Sequence, residues 1–287
     1  MTRSVLLRLQ PYLYLLPALI ILALFNYYPI LSLVDMSLHS QTPSRPEAVW
    51  VGLQNYLTLF QTPVFSEVLV NTAWYVLATV PFTMLLALVL AVLLNQKLRA
   101  MPLFRGLYYT PVIMPTVAAA ALGLWMFNAN NGLVNYLLHL LQVQGPAWLS
   151  SEQWALVTVM LIGIWKNIGY YMLIYLAGLQ NIPANLLDAA RLDGARAVDR
   201  FISILAPLLQ PTTYFIAVVA IIQSFQVFDF VNLLTQGGPS NSTNVLVFFI
   251  YQNGFEYLDL GMAAAIAVVL FGLVLITSGI LTWALNR

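Results

Sequence analysis

No charged residue occurs between Arg8 and Asp35, between Glu67 and Lys97, between Arg105 and Glu152, between Arg200 and Asp229, or between Asp259 and Arg287. Each gap holds a mostly apolar run, and a helix needs about 20 such residues to cross a bilayer. A soluble fold must show charge to water, yet Lys, Arg, Asp and Glu make up 7% of the 287 residues and hydrophobic ones 61%. Disorder is excluded for the opposite reason, since apolar side chains abound and the net charge is only +1. Eleven scattered Lys/Arg cannot form a phosphate-binding surface, so nucleic acid is not a partner. With no cysteine, and with His39 and His139 the only histidines, disulfides, thiol chemistry and multi-His metal sites are excluded. What remains is an integral membrane protein.

The pattern predicts an all-α chain, one transmembrane domain over residues 1–287, with six spans near 11–34, 70–95, 107–127, 154–177, 207–229 and 262–284. Barrel strands would alternate over short segments, and these runs do not. The first run is too long for a signal peptide and no small-x-small cleavage site follows it, so it reads as a retained helix. Orientation follows from basic residues, which concentrate in cytoplasmic loops. With a cytoplasmic N-terminus, Arg3, Arg8, Lys97, Arg99, Arg105, Arg191, Arg196, Arg200 and Arg287 fall inside, Arg45 outside and Lys166 within the membrane. Seven of the ten acids fall on the outer side or its rim, and six spans return the C-terminus to the cytoplasm.

The inner connection over 178–206 is long and not turn-like. Pro183 can open a helix, Leu186, Leu187 and Ala190 share helical spacing, and Gly194 suits a C-terminal cap. Ala197, Val198, Phe201, Ile202 and Leu205 then form an apolar stripe opposite Arg196, Asp199 and Arg200. Such an element either lies on the membrane surface as a connector or docks a cytoplasmic partner.

Lys166 is the one ionisable residue deep in a span, twelve residues from Trp154 or about 18 Å along a helix. A cation there must face water or a partner, or snorkel to the inner surface. Asn167 and Tyr170 adjoin it. Gln223, Gln226 and Asp229 recur every three residues on the fifth span, about 24 Å to about 33 Å from Pro207 if the helix is continuous. That arithmetic places them in the outer half. Amides and aromatic faces suit sugars, though polar residues in membranes also bond helix to helix.

The motif Asp188-Ala189-Ala190, three residues, Gly194, nine residues, then Ile204-Leu205-Ala206-Pro207 resembles the signature loop of ABC importer permeases. Asp188 replaces that family's usual Glu and Ala206 its usual Leu. Tyr14-Leu15-Leu16-Pro17-Ala18, Gly52-Leu53-Gln54-Asn55-Tyr56, Arg105-Gly106-Leu107-Tyr108-Tyr109-Thr110-Pro111 and Leu234-Thr235-Gln236-Gly237-Gly238-Pro239 are similar to the maltose-type sugar-permease branch. The resemblance implies a type I importer permease fold in a bacterial inner membrane. It also implies a second homologous permease, two ATPase subunits carrying ATP and Mg, and an extracytoplasmic solute-binding protein. Leu186, Leu187, Asp188, Ala189, Ala190, Asp193, Gly194, Ile204 and Pro207 would then form the ATPase-coupling loop. The outer loops at 35–69, 128–153 and 230–261 would meet the binding protein.

Other classes fit less well. The only lysines, Lys97 and Lys166, are followed by Leu98 and Asn167, so no phosphate-binding loop exists and no cofactor is expected in this chain. Neither histidine lies in a span, which argues against an intramembrane serine protease, and no His-Glu-x-x-His is present. A secondary carrier would place coupling carboxylates within its helices and show repeated halves. No acid lies near the middle of any span here. Ion-coupled transport and an ABC permease for a non-sugar solute stand as the alternatives.

Overall fold

The computed structural model describes Tyr12, residues 14–96 and residues 98–285. Arg3, Arg8, Lys97 and Arg287 of the charge count lie outside the described residues.

Along the chain, α1 (Tyr14–Ser37) is a 24-residue apolar helix. A hairpin follows, β1 (His39–Thr42) antiparallel to β2 (Arg45–Trp50), with His39 opposite Trp50. It corrects the all-α expectation. This polar stretch, turned at Pro43-Ser44, has no helical apolar period to extend α1. Next come α2 (Gln54–Gln61) and α3 (Pro63–Leu94), which starts seven residues before the expected boundary at 70. At 32 residues α3 is about 48 Å long, so it outreaches the hydrocarbon layer of about 30 Å.

The expected third span, 107–127, is two helices, α4 (Met101–Ile113) and α5 (Thr116–Met126), meeting at 97°. Pro115 is the cause. It has no N–H to give to Pro111, and it holds Met114 extended at ψ 135°. Beyond it lie α6 (Leu133–Leu140) and α7 (Ala155–Gln180). The loop that follows carries α8 (Ala184–Leu192) and α9 (Ala197–Leu208). A 67° bend separates α9 from α10 (Gln210–Phe225). The straight helix expected from Pro207 therefore begins at Gln210, because Pro211 cannot donate to the Pro207 carbonyl and carry α9 onward. It also ends at Phe225, not 229. Short helices α11 (Asp229–Leu234) and α12 (Leu246–Tyr251) precede α13 (Leu260–Leu285). Among the described residues, four unbroken helices are long and apolar enough to cross a membrane, and up to six if each bent pair counts as one span.

The chain divides into two compact units. One holds residues 1–62 and Phe249–Phe271. There the Asn55 amide donates to the carbonyls of Ser37 and His39 at 2.8 and 2.9 Å, tying the end of α1 to the hairpin. The Ser37 and Tyr56 hydroxyls meet at 2.6 Å.

The larger unit holds Pro63–Phe248 and Gly272–Arg287. Its core is α3 against α7, flanked by α4 and α10. The buried stripe of α3 includes the small residues Thr72, Thr79, Thr83, Ala87 and Ala91 beside Val68, Tyr75 and Val80. Lipid tails are as apolar as leucine, so membrane helices associate through such close-packing residues. The opposite face of α3, with Trp74, Leu77, Phe82 and Leu85, is exposed.

Candidate functional site

A polar cavity of about 230 Å³ opens within the larger unit, walled by α3, α7, the end of α10 and the start of α11. Lys166, Asn167, Gln223, Gln226 and Asp229 all line it. These residues come from two helical regions that the sequence shows only as separate polar positions. Tyr170 does not line the cavity; its neighbour Tyr171 does, with the two rings edge-on at 5.2 Å.

Helices are interrupted beside the cavity, before Thr116 and between α10 and α11. Lys166 Nζ donates to the Val112 carbonyl at 2.9 Å. In an unbroken helix that carbonyl would accept from Thr116, but the Met114-Pro115 corner carries the chain off axis. The ammonium fills the vacancy at a helix C-terminus, where partial negative charge favours a cation. A broken helix is tolerated at membrane depth when a neighbour satisfies the freed backbone. Lys166 thus joins two helices instead of snorkelling away from them.

Gln223 accepts from the Tyr171 hydroxyl at 2.7 Å. That bond joins α7 to α10, and the 67° bend before Gln210 takes the first residues counted from Pro207 off the helix axis. Gln226 and Asp229 do not continue one helical flank either: Gln226 caps α10, and Asp229 opens α11. The Asn167 amide donates to the Gly163 carbonyl at 2.9 Å within its own helix.

Sequence reasoning missed Tyr75, Thr79, Thr83 and Ser224, which also line the cavity. The Thr79 hydroxyl donates to the Tyr75 carbonyl at 2.6 Å and lies 3.3 Å from that of Ser224, joining α3 to α10. The signal was present as threonines at 72, 79 and 83 in a mostly apolar span.

The loop over 178–206 has the expected helix, turn and second helix. Leu186, Leu187, Asp188, Ala189 and Ala190 lie on α8, which has no buried residue, and Leu186 and Leu192 are exposed. Asp193 caps α8 and Gly194 follows at φ +78°. Ala195 donates to the Ala190 carbonyl and Gly194 to that of Arg191, at 2.9 and 3.1 Å, a Schellman turn. On the far side the Asp199 carboxylate accepts from the Arg196 N–H at 3.1 Å, and the Arg200 guanidinium donates to the Ala195 carbonyl at 2.7 Å. Val198 and Ile202 of the apolar stripe are exposed, while Phe201 and Leu205 are half-buried. Ile204 sits in a π-helical turn of α9, and Pro207 near its end.

Residues 80–287 match the family described as "Binding-protein-dependent transport system inner membrane component". Over 267 residues the chain is 38% identical to the sulfoquinovosyl glycerol transport system permease protein SmoG of Agrobacterium fabrum, covering 93% of this chain and 87% of that one. It is 34% identical over 268 residues to the sn-glycerol-3-phosphate transport system permease protein UgpA of Pectobacterium atrosepticum, covering 92% and 90%. The fold matches a chain in the crystal structure of a bacterial ABC transporter involved in import of the acidic polysaccharide alginate, with a TM-score of 0.85, 23% identity, and 99% and 98% coverage.

Proposed function

Because this chain belongs to the family of binding-protein-dependent transport system inner membrane components, we propose that it is one transmembrane subunit of an ATP-driven bacterial importer for a sugar or sugar-like solute. It forms half of the pathway with a second, homologous permease. Two ATPase subunits dock on its inner face, and an extracytoplasmic binding protein delivers the solute. The observation that carries this reading is the exposed α8 with its rigid turn at Gly194, outside the spans yet within a chain whose spans enclose a polar cavity. ATP binding closes the ATPase pair. Leu186, Leu187 and Ala190, held in its groove, transmit the movement, and the cavity opens outward. Hydrolysis restores the inward-facing state. Lys166, Asn167, Gln223, Gln226 and Asp229 line the solute path, with Tyr171 in the place expected of Tyr170.

This reading fixes a topology of six spans with both termini in the cytoplasm, and scanning labels test it. The chain has no cysteine of its own, so each introduced thiol reports alone. Cysteines at Ser44 and Ser240 should react with an impermeant maleimide in intact cells. Those at Ala100 and Ala195 should react only after the membrane is opened. Outside labelling at position 195 would remove both the span count and the coupling assignment.

A further inference from the structure

We propose that the cavity holds its solute by an anionic substituent, a sulfonate, phosphate or carboxylate, received by Lys166; the assignment rests on the permease reading above. The Val112 carbonyl takes one of the three N–H groups of Lys166 and fixes where the ammonium lies. The other two remain for a ligand. Among the described residues, ion pairs within 4.0 Å join only Asp35 to His39 and Asp188 to Arg191. Lys166 therefore has no carboxylate within that distance, although Asp229 lines the same cavity.

A half-buried cation among membrane-spanning helices with no carboxylate within 4.0 Å is costly. A neutral polyol would leave that charge uncompensated. An anion supplies it, and beside a half-buried ammonium the attraction is screened less than in water. A lysine ammonium is a compact point charge, which suits a compact anionic group. Asp229 repels such a group, so the solute is also oriented, with its anionic end at Lys166 and its hydroxyls toward Asp229. Gln223, Gln226 and Asn167 supply amides for those hydroxyls.

The test uses the assembled transporter, permease pair with ATPases, without its binding protein, so that only the membrane cavity selects. Calorimetric titration compares glucuronate with glucose, and sn-glycerol 3-phosphate with glycerol. A hydrogen bond to a charged group makes the charged member of each pair bind at least about tenfold more tightly. K166Q should bring the ratio close to one, and K166R should keep it, with assembly checked by size exclusion. Equal binding within each pair by the unmodified complex, or a preference that survives K166Q, overturns the proposal. The unmodified complex and K166R decide the matter even if K166Q fails to assemble. Binding of the neutral members only would remove this inference and leave the sugar-permease reading intact. Binding of no member of either pair would count against both.

Discussion

Gly194→Val is expected to abolish transport while the chain stays near its normal level in the membrane. Gly194 holds φ +78° in the Schellman turn that ends α8. A side chain in this left-handed region costs about 1–2 kcal/mol, and a β-branched one is a genuine outlier there. Nothing lies within 4 Å of where its Cβ would be, so the failure comes from the backbone and not from collision. Because α8 buries no residue, its own packing does little to hold it, and the turn sets its direction. A reshaped turn swings Leu186, Leu187 and Ala190 away from an ATPase groove, and the spans are untouched. Co-purification should show weakened ATPase association with unchanged membrane abundance. Asp188→Glu should be tolerated. The Asp188–Arg191 pair at 3.0 Å is more than 60% exposed on both sides, so it contributes no more than about 1 kcal/mol, and Glu can remake it. Normal uptake by Gly194→Val with its ATPase bound would make the loop a mere connector.

The same substitution at Gly169 should do the reverse. Gly169 is buried on α7, and a Cβ there would overlap the Tyr108 carbonyl oxygen and come 3.0 Å from the Tyr109 Cα. Backbone atoms cannot rotate aside as a side chain can, so α4 and α7 must separate. Overpacking typically costs about 1–3 kcal/mol, and more when backbone must shift. Separation also pulls Lys166 on α7 from Val112 on α4, leaving a cation and a carbonyl unpaired in an apolar setting. Gly169→Val should therefore fail to accumulate, and Gly169→Ala should lower the melting temperature of the purified complex. Normal abundance and melting for both would show that the close approach of these helices is not what holds the bundle.

Charge-free runs made the spans legible, because a bilayer penalises every charge within them. Where a span breaks was not legible. Pro81 sits inside the continuous α3, whereas Pro115 divides α4 from α5. The two prolines look alike in apolar sequence. At Pro115 the freed Val112 carbonyl is met by Lys166, 54 residues away, and no local pattern announces that partner. The same non-locality explains the site. Lys166, Gln223 and Asp229 stand out as polar residues in apolar surroundings, but choosing Tyr171 over Tyr170 requires knowing which side of α7 meets α10. The bond to Gln223 decides that. Threonines escape notice because each can satisfy its hydroxyl on its own helix, as Thr72 and Thr79 do. The helix, turn and second helix over 178–206 were legible nearly whole, since helix, turn glycine and stripe are local features.

As proposed, this chain forms half of a pathway whose driving force comes from other subunits. Reconstitution in vesicles tests it most directly, measuring ATP hydrolysis and solute accumulation for the chain alone and for the complete set of permease pair, ATPases and binding protein. The chain alone should show neither activity, and the complete set should show ATP-dependent uptake. ATP-dependent uptake by the single purified chain would contradict it, and uptake by that chain driven by an ion gradient would point instead to a secondary carrier.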